Sequence, residues 1–109
     1  MDVDKNLIAM NEKMNDGKTI HLYFNSEIGL YVAYGYSAFY VTHIVNVMAA
    51  FSENQQMPVV LMRKRDVSEL RLATEKKQHD YHQYYRLELK HALRLDGYSR
   101  WEDSVKWNN

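Results

Sequence analysis

The chain has 109 residues, and its 14 basic side chains balance 14 acidic ones, so its formal net charge is zero. Zero charge excludes a general electrostatic attraction to nucleic acid and leaves no overall repulsion between copies of the chain. Cysteine is absent, which excludes disulfides, thiolate catalysis and cysteine-based metal sites. The length predicts one domain, residues 1–109, and the polar start of the chain, which has no apolar signal region, predicts a cytoplasmic protein.

The first predicted element is a surface helix. Val3, Leu7, Met10 and Met14 recur at three- and four-residue spacing, which places them on one helical face. The Asp-Gly pair that follows indicates where this helix ends. We therefore expect the helix to lie over a sheet on these four apolar side chains.

Two strands joined by a short turn are predicted next. Thr19 to Asn25 alternates apolar and polar residues, which is typical of a half-buried strand. Leu30 to Tyr36 is apolar on both faces, which favours an interior strand. The turn-forming residues between them, with Gly29, predict an antiparallel hairpin.

The segment from Ile28 to Ser52 carries no charged side chain. We do not expect it to span a membrane, because His43, Asn46 and several dispersed tyrosines would lie in the hydrocarbon. Its second half is open between helix and strand over Ala38–Val47, since β-branched residues favour extended structure. We predict a helix over Ala38–Val45, capped by Ser37, and a strand over Asn46–Phe51.

The apolar run Met57–Met62 predicts another strand, which forms a second hairpin with the one before it. A helix is predicted to begin at Asp66 and to continue to about Lys77. The stretch Tyr81–Leu95 fits either a helix or a strand, and its good helix formers favour the helix. A terminal helix, capped by Ser99, follows the Asp-Gly pair at 96–97.

These elements predict an α+β domain with a mostly antiparallel sheet of about four to five strands and helices packed on one side. We expect six apolar residues to be deeply buried in its core. They are Leu22, Phe24, Val32, Val41, Val60 and Leu70.

The leading functional hypothesis is a protein–protein interaction module or a homodimer that uses an aromatic-rich surface. The chain has nine Tyr and two Trp, the types that often anchor interfaces. Tyr98, Trp101 and Trp107 in the terminal helix are the predicted contact residues, and the partner is another protein or a second copy.

The alternative hypothesis is association with nucleic acid. Arg63, Lys64 and Arg65 could contact phosphates while tyrosine rings stack on bases. The predicted stacking residues are Tyr81, Tyr84 and Tyr85. Acidic residues interleave with the basic ones and cancel much of their field, so this hypothesis ranks second.

A third hypothesis, an enzyme, has no motif behind it, and we predict no catalytic residue, no cofactor and no metal. His79 and His82 would share one face of a helix, but no pattern supplies a third ligand. An active site would instead need a polar pocket beneath His21 and His43.

One short segment resembles a known family. Gly29 to Ala38 resembles the strand-to-helix segment of the mismatch-recognition domain of MutS-type proteins. The Phe-x-Glu pair with which that family probes a mismatch is absent, and Leu30 and Val32 stand near its place. The resemblance therefore implies no function and no site residue for this chain.

Overall fold

The computed structural model describes residues 5–81, 84–94 and 96–107, and over residues 76–81 it describes the main chain only. The helices of this part are α1 (Lys5–Lys13), α2 (Gly35–Ile44), α3 (Lys64–Leu70) and α4 (Tyr98–Trp107), with a 3₁₀ turn at Arg71–Ala73. The strands are β1 (Thr19–Asn25), β2 (Leu30–Tyr34), β3 (Ala49–Ser52), β4 (Met57–Met62), β5 (Thr74–Tyr81) and β6 (Tyr84–Leu89).

The six strands form one sheet in the order β3-β4-β2-β1-β6-β5, and every neighbouring pair is antiparallel. This arrangement confirms the predicted α+β fold with a mostly antiparallel sheet. Strands β3 and β5 form the two edges of the sheet. The sheet has one strand more than the upper predicted number, because the segment before β6 is extended as well.

Alternation along the strands gives the sheet two unlike faces. Ile20 and Leu22 of β1 point to the face on which α2, α3 and α4 pack, and this face holds the main core. Tyr23 points to the opposite face, where it packs with Ile8 of α1. Three helices therefore cover one face, and the single short helix α1 covers part of the other.

The predicted core is largely confirmed. Leu22, Val32, Val41, Val60 and Leu70 are all buried. Phe24 is only half-buried, because it lies near the end of β1, where its ring packs at a tilt beside Tyr31 with ring centroids 4.9 Å apart.

The predicted buried stripe of α1 is wrong. Met10 and Met14 are exposed, and Val3 lies outside the described residues. The buried side chains of α1 are Ile8 and Glu12, which are one turn apart on a different side of the helix. The buried side of α1 cannot be predicted from apolar spacing, because it includes the carboxylate of Glu12.

The change from β2 to α2 occurs without a loop. Helix α2 begins at Gly35, three residues before the predicted start at Ala38, so Ser37 lies in its first turn and does not cap it. Gly35 has a φ of 54°, which a residue with a side chain rarely adopts. A Cβ atom there would lie 3.1 Å from the Met57 Sδ and 3.3 Å from the Glu12 Cγ.

The preference for a helix over Tyr81–Leu95 is also wrong, since residues 84–89 form β6. This strand pairs with β1 on one side and β5 on the other. The helix predicted to reach Lys77 ends at Leu70, and β5 takes the residues from Thr74 onward.

Candidate interaction surface

The edge strand β3 pairs only with β4, through Ala49–Val60, Ala50–Val59, Phe51–Pro58 and Ser52–Met57. Because proline has no N–H, the Phe51–Pro58 pair cannot be one that exchanges two main-chain hydrogen bonds. Hydrogen-bonded and non-bonded pairs alternate, so Ala50 and Ser52 bond to β4. The N–H and C=O groups of Ala49 and Phe51 therefore point away from β4, toward the outside of the sheet.

The surroundings of this edge carry no charge over residues 44–52. The Met48 side chain, directly before β3, is 91% exposed, and Ala50 is exposed as well. Lys106 of α4 lies beside this edge, with its Nζ 5.6 Å from the centre of the Phe51 ring. Strand β3 itself is therefore apolar and uncharged, with Lys106 beside its Phe51 ring and Glu53 directly after its last residue.

The sheet face beside this edge is apolar too. Ala50, Val59 and Leu61 point to the face that α1 covers only in part, and the Leu61 side chain is 48% exposed. Val59 is half-buried. The uncharged surface thus continues from the β3 edge onto the outer side of β4.

Two of the three predicted aromatic contact residues are engaged within the chain. Tyr98 is buried and stacks on Tyr36 with ring centroids 4.0 Å apart. Trp101 is half-buried and lies 5.1 Å from the Phe39 ring. These contacts dock α4 onto α2. Trp107, at the end of α4, is 80% exposed and stays a candidate contact residue.

The structure does not bring the predicted nucleic-acid residues onto one surface. Arg63, Lys64 and Arg65 are exposed around the start of α3. Tyr84 is buried beneath α1, whereas its neighbour Tyr85 packs against the main core on the other face of the sheet. The side chain of Tyr81 lies outside the described part of the structure, and so do those of His79 and His82.

A buried polar network lies beneath α1. His21 Nδ1 lies 2.6 Å from the Tyr84 hydroxyl, and the Asn11 amide donates to the hydroxyls of Tyr23 and Tyr84 at 3.0 and 3.3 Å. The rings of Tyr23 and Tyr84 stack with centroids 5.2 Å apart. Burial raises the pKa of Tyr23, so this phenol remains protonated and keeps its donor.

The enzyme hypothesis needs one pocket beneath His21 and His43, and these two histidines do not share one. His43 is exposed near the end of α2, where its Nδ1 lies 2.8 Å from the Phe39 carbonyl oxygen. The groove next to the network has a volume of about 530 Å³ and is lined by Lys5, Tyr34 and Gln55 among others. Over the described residues, no group of three or more His, Cys, Asp or Glu side chains is placed to hold a metal ion.

Comparison with known proteins gives this chain no relative. No protein-family model matches it, nor does any curated protein or solved structure. Within the described ranges, no helix is both long and apolar enough to cross a membrane.

Proposed function

We propose that this protein acts by associating with a second copy of itself through the edge strand β3. The observation that supports this proposal is the edge strand itself, which pairs with β4 alone and has no charged side chain. Natural sheets usually protect such an edge with charged side chains, proline, bulges or a covering element, because an open edge pairs readily with another chain.

The two copies would pair β3 antiparallel about a twofold axis through Ala50. Ala49 of one copy would then face Phe51 of the other, and both residues direct their main-chain groups outward. Each of the two Ala49–Phe51 pairs would exchange two hydrogen bonds, and the sheets of the two copies would become continuous.

The side chains in this register are self-complementary. On the side of α4, each large Phe51 ring would meet a small Ala49 methyl group. On the opposite side, Ala50 would face Ala50 of the second copy, with Met48 and Ser52 flanking them. No charge would be buried at the junction, so pairing would carry little desolvation cost.

Composition supports the same proposal. Zero net charge leaves no long-range repulsion between copies, and the absence of cysteine is consistent with a cytoplasmic location. Because β3 is short, the interface would be small. We expect a reversible dimer with a dissociation constant on the order of tens of micromolar.

Sedimentation equilibrium over about 10 µM to 1 mM protein tests the proposal directly. Met48→Lys places an ammonium group beside the edge at an exposed position and should weaken the dimer by about tenfold or more. Leu72→Lys is the matched control, because Leu72 is also exposed, at 75%, but lies in the turn that leads into β5.

Dimers that Met48→Lys weakens and Leu72→Lys leaves unchanged would support pairing through β3. A strict monomer throughout the concentration range would refute self-association. Dimers that both variants leave intact would place the interface elsewhere, with Trp107→Ala as the next variant to examine.

A further inference from the structure

Helix α1 is attached to the domain through few side chains. Ile8 and Glu12 are its buried residues, and Asn11 adds the hydrogen bonds to Tyr23 and Tyr84. Other positions of the helix, such as Met10, are exposed. The loss of one of these contacts should therefore weaken the docking of α1 onto the sheet considerably.

Glu12 is the most constrained of these attachments. Its carboxylate accepts the Ser37 N–H at 2.9 Å and the Ser37 hydroxyl at 2.6 Å, so it caps the first turn of α2 from a different helix. The Ser37 hydroxyl in turn accepts the N–H of His21 at 3.0 Å. One buried carboxylate thus links α1, α2 and β1.

The surroundings of Glu12 stabilise its negative charge only through hydrogen bonds. Asn15 donates to the carboxylate at 3.4 Å, and the phenols of Tyr23, Tyr40 and Tyr98 interact with its charge. His21 of β1, whose main-chain N–H bonds the same Ser37 hydroxyl, is a further titratable group in the network beneath α1. No described cation forms an ion pair with it.

Burial of this unpaired carboxylate outweighs its hydrogen bonds. Desolvation raises the pKa of Glu12 from 4.5 to about 7, whereas the bonds from Ser37 and Asn15 act in the opposite direction. The group is therefore close to half-protonated at neutral pH while α1 is docked.

We propose that α1 is a cover whose docking onto the sheet is controlled by pH through Glu12. When this carboxylate is protonated, α1 stays docked over the tyrosine network. When it ionises, the helix detaches more easily, because the charge is better solvated in water than in the interior. The proposal is independent of pairing through β3.

The sign of the pH dependence follows from linkage. The docked state binds the proton more tightly than the detached state, so docking is strongest below the detached pKa of 4.5 and weakens as the pH rises to about 7. Over the complete titration, from well below pH 4.5 to well above pH 7, the difference between the two pKa values corresponds to a weakening of about 300-fold.

Detachment would uncover Tyr23 and Tyr84, which lie on the same sheet face as Val59 and Leu61. The aromatic and aliphatic parts of this face would then form one larger apolar surface. The cover therefore controls how much of the face can contact another molecule.

Amide hydrogen exchange of the full chain at about pH 5 and pH 8.5, corrected for intrinsic exchange rates, tests this proposal. We expect the protection of α1 amides, relative to the β1 amides, to fall by about 75-fold in the wild type, because the docked carboxyl is almost fully protonated at pH 5 whereas the detached one is already mostly ionised. In Glu12→Gln it should hardly change, and Lys13→Gln, which alters an exposed charge on the same helix, should behave like the wild type.

A carbon-13 titration of the Glu12 carboxyl group provides a second readout that needs no variant. An apparent pKa of about 7 would agree with the proposal, and one near the ordinary value of 4.5 would overturn it. Equal loss of protection in α1 and β1 would also overturn it, since the whole domain would then be unfolding. So would α1 protection that is the same at both pH values.

Discussion

The two edges of the sheet are built in opposite ways. Strand β5 has eight residues, and Glu75, Lys76, Lys77 and Asp80 among them are charged. Its pairing with β6 is interrupted by register shifts at two places. Strand β3 has four residues, no charge and a regular register with β4.

This contrast indicates which edge is protected against pairing with another chain. Charge and bulges are two of the devices by which proteins protect an open edge, and β5 has both. Strand β3 has neither a charged residue nor a register shift, and it is short. The difference supports the proposal that a second copy would bind at β3 rather than at β5.

The largest effect is expected from a charge at the proposed twofold axis. Ala50→Lys would place two ammonium groups face to face, so the dissociation constant should rise about 100-fold or more. Sedimentation equilibrium measures the change, and Ala9→Lys on the exposed side of α1 is the control. Unchanged dimers of Ala50→Lys would show that β3 does not pair with itself.

Removing charge from β5 should make the two edges more alike. In the double variant Glu75→Thr with Lys76→Thr, which removes one charge of each sign, we expect association through β5 with an affinity about tenfold higher than in the wild type. The increase should be no larger, because the register shifts still protect this edge. Light scattering would detect species larger than a dimer. Lys64→Thr with Glu69→Thr removes the same two charges from exposed positions of α3 and should add no association.

A smaller effect is expected on the hydrogen exchange of the main-chain amides of β3. The N–H groups of Ala49 and Phe51 point outward, so their exchange with solvent should slow about threefold to tenfold between dilute and concentrated protein. Ala50 bonds to β4 in either state and serves as the internal control. Equal slowing at all three amides would indicate a general stabilisation and not pairing at this edge.

The smallest effect is expected from salt. Because no charged side chain lies on β3, raising the salt from about 50 mM to 500 mM should change the dissociation constant of the dimer less than about twofold. A titration followed by sedimentation measures this. A steep dependence on salt would mean that Lys106 or another charge takes part in the contact.

Much of the fold could be predicted from local patterns. The hairpin of β1 and β2 was predicted correctly, because alternation and turn residues both indicate it. The structure of the segment 81–95 was not predicted correctly, because apolar residues that recur every four positions fit a strand as well as a helix. Tyr85 and Leu89 would lie on one face of either a helix or a strand. The strand forms because this segment pairs with β1, which is far away in the chain.

The candidate surface was less predictable than the fold. The strand at 46–51 was expected, but its position at an edge depends on which strands pair over long distances. Tyr98 and Trp101 were predicted to be surface anchors from their residue type, and in the structure they hold α4 in place. The burial of Glu12 could not be predicted, because a buried carboxylate on a surface helix has the same sequence pattern as a solvated one.

The central position of β1 has a consequence for how the chain reaches this fold. Its neighbour β2 follows after a short turn, whereas the partner of Thr19 on the other side is Glu88, close to the opposite end of the sequence. Closing so long a loop is slow compared with forming a hairpin. On a ribosome, strands β1 to β4 are synthesised well before β6, so the innermost strand of the finished sheet is for a time an open edge. The nascent chain therefore exposes a strand edge that β6 covers in the mature domain.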